Sequence, residues 1–141
     1  MKHLSSLALL SALLLAGPSP AAPGGGPGRN YSCSNCGTIL TAGEKPRSNG
    51  CPTSRSHEWH KLGEAGDTWY SCRHSRHLVL SDGKPDEEGC TDGQDHQWHK
   101  LAGKGSKNYL CQSCGLSIAA DGKPRADGCT VGEGEHQWNK Q

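Results

Sequence analysis

The stretch YSCSNCG at residues 31–37 decides how the rest of the chain is interpreted, because its pattern returns twice further along. Residues 70–76 read YSCRHSR, and residues 109–115 read YLCQSCG. The first cysteines of the three stretches, at positions 33, 72 and 111, are 39 residues apart. Self-similarity at a fixed period indicates an array of repeated structural units.

The repeat extends beyond this stretch, since each copy continues with a Lys-Pro pair, a Gly-Cys pair and a His-x-Trp triplet. The cysteine and histidine of these later motifs are Cys51 and His57, Cys90 and His96, and Cys129 and His136. The repeats predict module 1 at residues 30–64, module 2 at residues 65–103 and module 3 at residues 104–141. The glycine-containing segments 63–66 and 102–105 are predicted to be linkers between the modules.

The composition indicates how such modules are held together. Only 32% of the 141 residues are hydrophobic, Phe is absent, and 8 residues are Cys. Small domains bury too little apolar surface to fold unaided and usually need disulfides or a metal. Alternating stretches such as Tyr31–Cys33 and turn pairs such as Asp82-Gly83 favour strands. We therefore predict a small all-β fold, stapled by metal or disulfides, with little regular secondary structure and no amphipathic helix.

The N-terminus has the order of features found in an export signal. Lys2 precedes an apolar run from Leu4 to Ala16, and Ala21 and Ala22 supply small residues for cleavage. We predict a signal peptide at residues 1–22, a Gly/Pro-rich linker at residues 23–29, and a secreted or periplasmic protein. No membrane anchor is expected once the signal is removed, because the apolar run is short for a membrane span.

Two of the repeated stretches carry Cys-x-x-Cys-Gly, which resembles the knuckle of zinc-ribbon proteins. Two cysteines three apart on a tight turn bring both sulfurs to one side, and structural zinc takes four tetrahedral Cys or His ligands. The resemblance implies zinc-ribbon-like modules with up to three structural zinc ions. The predicted Cys3His ligand sets are Cys33, Cys36, Cys51 and His57 in module 1, and Cys111, Cys114, Cys129 and His136 in module 3. The second half of each site departs from the zinc-ribbon pattern, because a close Cys pair is replaced there by a single Cys and a distant His.

Module 2 departs from this pattern in its first knuckle as well. Ser75 replaces the second cysteine and Arg76 replaces the glycine. His74 and His77 lie close to the position of the missing cysteine. Either histidine could complete a Cys2His2 site. The remaining predicted ligands of that site are Cys72, Cys90 and His96. Alternatively, three ligands hold a metal in module 2 and leave one position for water, as in catalytic zinc sites.

Disulfides are the alternative to metal, because an exported chain meets oxidising conditions. The first and third cysteines of each module would then pair, and the surplus Cys36 and Cys114 would pair with each other or stay free. The three bridges would be Cys33–Cys51, Cys72–Cys90 and Cys111–Cys129. Disulfides, however, give no role to the histidine that recurs in all three modules.

The recurring aromatic residues have two interpretations. The repeated Trp and Tyr are predicted to form a small core in each module, with an exposed face for sugars or peptides as the alternative. Trp69 is predicted to be the most exposed aromatic residue. Asn30 lies in an Asn-x-Ser sequence that fits a glycosylation acceptor.

The function predicted from these features is that of a non-enzymatic binding or scaffold protein with a protein or glycan partner outside the cell. The alternatives are a metal buffer of the cell envelope, a zinc enzyme using module 2, and a disulfide-stabilised interaction protein. Nucleic acid is not expected as a partner, because 15 Lys and Arg nearly balance 14 Asp and Glu.

Overall fold

A computed structural model describes residues 28–141, so the predicted signal peptide and residues 23–27 of the predicted linker lie outside the described residues. Seven strands run along the chain: β1 (Arg29–Cys33), β2 (Ile39–Ala42), β3 (Trp59–Cys72), β4 (Leu78–Ser81), β5 (Trp98–Cys111), β6 (Ser117–Ala120) and β7 (Trp138–Lys140). The described part of the chain contains no helix, which confirms the all-β prediction. Accordingly, residues 28–141 include no helix with the length and apolar character needed to cross a membrane.

Each module is a three-stranded antiparallel unit that shares a strand with its neighbour. In module 1, β1 lies between β2 and the first half of β3. The second half of β3 is the central strand of module 2, between β4 and the first half of β5. The second half of β5 is likewise central in module 3, between β6 and β7. The modules therefore form one continuous β array.

The interpretation of residues 63–66 and 102–105 as linkers is wrong, because both segments lie inside the 14-residue strands β3 and β5. Gly66 and Gly105 permit the close approach of two backbones rather than providing flexibility. A Cβ added at Gly66 would lie 2.3 Å from the backbone nitrogen of Asp82, and one at Gly105 would lie 2.2 Å from that of Asp121. The strands bulge at these points, where pairing shifts between Ala65 and Thr68 and between Lys104 and Lys107.

The core is divided into one small cluster per module. The repeated Tyr and Trp are buried in every module, which confirms their predicted role as a mini-core, and the first and third Cys are buried with them. Modules 2 and 3 each take one further fully buried residue from the preceding module, Leu62 and Leu101, respectively. Leu40 of module 1 is 43% exposed, whereas Val79 and Ile118 at the same repeat position are 3% exposed. Within the described residues, no leucine from a preceding strand covers Leu40.

Hydrogen bonds connect neighbouring modules at two joints, the contact between modules 1 and 2 and the contact between modules 2 and 3. Asn30 Nδ2 donates to the carbonyl of Leu80 over 2.8 Å, and Trp69 Nε1 donates to that of Ala119 over 2.8 Å. Asn30 and Trp69 occupy the same repeat position. Trp69 is the least buried Trp or Tyr in the described part of the chain, as predicted, although its ring is half-buried against the core of module 3. Asn30 is 1% exposed, so its side chain is not accessible for glycosylation in the folded protein.

Candidate metal centre

The structure brings the predicted ligands of module 1 into one group and those of module 3 into another. In each group, four ligand atoms lie within 4.8 Å of one another: Cys33, Cys36, Cys51 and His57 in module 1, and Cys111, Cys114, Cys129 and His136 in module 3. His57 Nδ1 lies 3.5 Å from Cys36 Sγ, and His136 Nδ1 lies 3.5 Å from Cys114 Sγ. Zinc–ligand distances of about 2.3 Å to sulfur and 2.0–2.1 Å to nitrogen give a tetrahedral N···S edge of about 3.6 Å. The measured spacings fit this geometry.

Tight turns at the strand ends place the sulfurs. Cys33 and Cys111 end β1 and β5, and their carbonyls accept hydrogen bonds from Gly37 and Gly115 over 2.8 Å in both cases. Gly37 and Gly115 have φ angles of 74° and 75°, a left-handed conformation that favours glycine. This turn explains why the sequence carries Gly directly after the second cysteine.

The His-x-Trp triplets place the imidazoles. Each histidine ring stacks on the tryptophan two residues later, with centroid distances of 4.6, 4.6 and 4.7 Å in modules 1, 2 and 3. Each indole then donates to the carbonyl that follows the Lys-Pro pair: Trp59 to Arg47, Trp98 to Asp86 and Trp138 to Arg125. The Lys-Pro and His-x-Trp motifs thus act together to hold each imidazole with Nδ1 towards the sulfurs.

The electrostatics of these groups favour a bound cation. Burial acts to raise the pKa of the Cys51 thiol, but hydrogen bonds from Ser54 and Thr53 outweigh it and lower that pKa to about 6. In module 3, burial and the neighbouring thiols raise the pKa of Cys114 to about 12. Sulfurs held this close resist ionising together, and a divalent cation removes that repulsion. Burial also lowers the pKa of His136, which favours the neutral imidazole that a metal requires.

Module 2 has a smaller buried group. Cys72, Cys90 and His96 place three ligand atoms within 4.8 Å of one another, with His96 Nδ1 3.3 Å from Cys72 Sγ. Ser75 occupies the repeat position of Cys36 and Cys114. Its Oγ is shielded from solvent and has no hydrogen-bond partner among residues 28–141.

The structure does not bring His74 or His77 into that buried group, contrary to the predicted Cys2His2 set. His74 instead forms a separate group with Cys90 and Asp92, again with ligand atoms within 4.8 Å. His77 belongs to neither group, and its ring centroid is 6.2 Å from that of His96. Sequence reasoning missed Asp92, although Asp92 and His74 are both ligand-type residues at positions where modules 1 and 3 have none.

The eight cysteines are all free thiols in the structure, so neither the three intramodule bridges nor a Cys36–Cys114 bridge is formed. Cys36 and Cys114 lie in different Cys/His groups, each beside its own histidine. The recurring histidine thus has a place in these groups that the disulfide alternative does not give it.

The fold and site together define the class: an all-β protein with three Cys/His clusters, each of which could bind a metal ion. No family model matches the chain, and neither a curated protein nor a solved structure does.

Proposed function

We propose that modules 1 and 3 each bind one structural zinc ion through three cysteines and a histidine. The observation that carries this proposal is the grouping of four ligand atoms within 4.8 Å in both modules. Three thiolates and an imidazole suit zinc rather than the harder Mg²⁺ or Ca²⁺, which prefer oxygen ligands. His136 would contribute through Nδ1, which lies 3.5 Å from Cys114 Sγ.

We further propose that the zinc-stapled array acts outside the cell as a non-enzymatic scaffold for a protein or glycan partner. The shared strands β3 and β5 support this role, because they hold successive modules at a fixed spacing. Linked contact sites at fixed spacing can gain avidity when a partner presents matching sites. The repeated Trp and Tyr are buried, so such contacts are made by the polar loops rather than by an aromatic face.

Native mass spectrometry of the exported protein tests the zinc assignment. We expect at least one zinc ion in each of modules 1 and 3, lost on acidification, and cysteines that remain reduced. A chelator should then abolish the near-UV circular dichroism of the buried Trp residues, since structural zinc contributes folding free energy directly. A metal-free, disulfide-bonded and cooperatively folded protein would contradict the proposal.

The scaffold role is tested separately by capture from the fluid outside the cell. The zinc-loaded array is the bait, and the chelated chain is the control. Partner binding that is the same for both forms would contradict a role for the folded array.

A further inference from the structure

Module 2 has a second group of ligand-type side chains next to its buried group. His74, Cys90 and Asp92 lie within ligand distance of one another, and Cys90 also belongs to the buried group with Cys72 and His96. The two groups differ in access, because His74 and Asp92 are exposed whereas Cys72 and His96 are buried.

We propose that Cys90 is shared between a buried and a solvent-facing metal position, so that module 2 holds its zinc ion as an exchangeable ion. This inference rests on the proposed function, in which the Cys/His clusters bind zinc. The ion would exchange Cys72 and His96 for His74 and Asp92 while Cys90 remains bound. Only coordination bonds form and break in this step, and no electrons are transferred.

The buried position is incomplete by comparison with modules 1 and 3. A neutral serine stands where a third cysteine would complete the tetrahedron, so an ion there has three protein ligands and one open position. His96 is only 2% exposed, yet its Nε2 has no hydrogen-bond partner within residues 28–141, and Ser75 Oγ has none either. This position therefore has one Cys or His ligand fewer than the clusters of modules 1 and 3.

The exposed position is specific to module 2. His74 Nδ1 lies 3.1 Å from the carbonyl of Asp95, and Asn35 at the same repeat position donates to the carbonyl of Ser56 over 3.0 Å. An asparagine is thus sufficient to close this loop, and the histidine adds a ligand-type ring. Asp92 similarly replaces Thr53 of module 1, and the pair occurs only in the module that lacks the fourth ligand.

Solvent reaches this part of the molecule. An open surface cavity of about 580 Å³ is lined by His74 and His96, among other residues. A small chelator can therefore approach the side of module 2 on which the exposed group lies. No comparable pair of ligands flanks the clusters of modules 1 and 3 in the described part of the chain.

Release of zinc to an excess of the chromogenic chelator 4-(2-pyridylazo)resorcinol tests the proposal on the full exported chain. We expect one ion per module and two kinetic classes, with the module 2 ion leaving at least about tenfold faster than the others. The double variant H74N/D92T gives module 2 the residues of module 1 and keeps the loop-closing donor. It should slow the fast class by about tenfold without changing the zinc stoichiometry.

The matched control is Asp95→Asn, which removes one negative charge from the same loop but no member of the exposed group. This variant should keep the fast class. ¹¹³Cd NMR of the cadmium-loaded chain provides a readout that is independent of the chelator. One signal should be broadened by exchange in the parent and should sharpen in H74N/D92T.

Four results would overturn the inference. If all ions leave in one kinetic class, or if H74N/D92T keeps the fast class, Cys90 is not shared between two positions. If modules 1 and 3 bind zinc and module 2 binds none, the inference fails while the proposed function stands. If no module binds zinc, both fail.

Discussion

Modules 2 and 3 have nearly the same knuckle backbone but different side chains on it. Arg76 N donates to the carbonyl of Cys72 over 3.0 Å, and Gly115 N donates to that of Cys111 over 2.8 Å. Arg76 and Gly115 have φ angles of 62° and 75°. The β framework therefore imposes the left-handed turn even on an arginine, and the metal ligands are not what shapes it.

The two modules differ in the interactions that stabilise their folds. Module 3 has a complete Cys3His cluster, whereas module 2 has three buried ligands and Ser75. Module 2 lies between two neighbours that share β3 and β5 with it, and Leu62 of module 1 completes its core. We infer that its position in the array compensates for its weaker cluster.

Exchanging the fourth ligand between the modules should have the largest effect. Cys114→Ser gives module 3 the ligand types of module 2, and Ser75→Cys gives module 2 those of module 3. Each change should shift the zinc affinity of its module by at least about 100-fold, in opposite directions, because changes to outer-shell partners alone cost about 10–100-fold. This shift corresponds to about 2.7 kcal/mol of binding free energy. Competition with a chelator of known affinity measures it.

Ser75→Ala is the control for that exchange, since it removes a shielded, unpartnered hydroxyl and adds no ligand. Zinc affinity should stay unchanged, and stability should stay level or rise by up to about 1 kcal/mol. An affinity gain with Ser75→Ala as large as with Ser75→Cys would show that the sulfur does not act as a ligand.

The modular plan and most members of the Cys/His clusters could be predicted from the sequence, because a fixed period of 39 residues relates the equivalent residues. The shared strands could not. Gly66 and Gly105 have the sequence signature of a flexible joint, and only the three-dimensional contact reveals a backbone packed against Asp82 or Asp121. Glycine fits both situations for the same reason, the absence of a side chain.

The details of module 2 were also beyond sequence reasoning. His74 and His77 are equally plausible ligands by spacing, but the turn at Ser75 and Arg76 directs them to different surroundings. The sequence correctly indicated that Trp69 is the most exposed aromatic residue, but it did not reveal that the ring packs against module 3. The counterpart of Trp69 is Asn30, which makes the same contact across the other joint.

The two joints provide a smaller and more local test of the comparison. Trp69→Ala removes both a ring packed on module 3 and a hydrogen bond to Ala119, and should destabilise the zinc-loaded chain by about 2–3 kcal/mol. Asn30→Ala leaves the carbonyl of Leu80 without its partner at the first joint and should cost about 1–2 kcal/mol. Urea unfolding followed by Trp fluorescence measures both losses. Equal and negligible losses would mean that the joints contribute little and that zinc alone orders the array.

The smallest expected effect concerns Arg76, which donates through Nη2 to the carbonyl of Cys114 over 2.6 Å and so ties the knuckle of module 2 to that of module 3. Arg76→Ala keeps the left-handed strain and loses this exposed hydrogen bond, so it should cost about 1 kcal/mol. Arg76→Gly loses the same bond but also relieves about 1–2 kcal/mol of strain, partly offset by the flexibility of glycine in the unfolded chain. Its stability should therefore stay within about 0.5 kcal/mol of the parent. If both variants unfold at the same urea concentration, the left-handed turn carries no strain at Arg76, and the framework tolerates arginine there without cost.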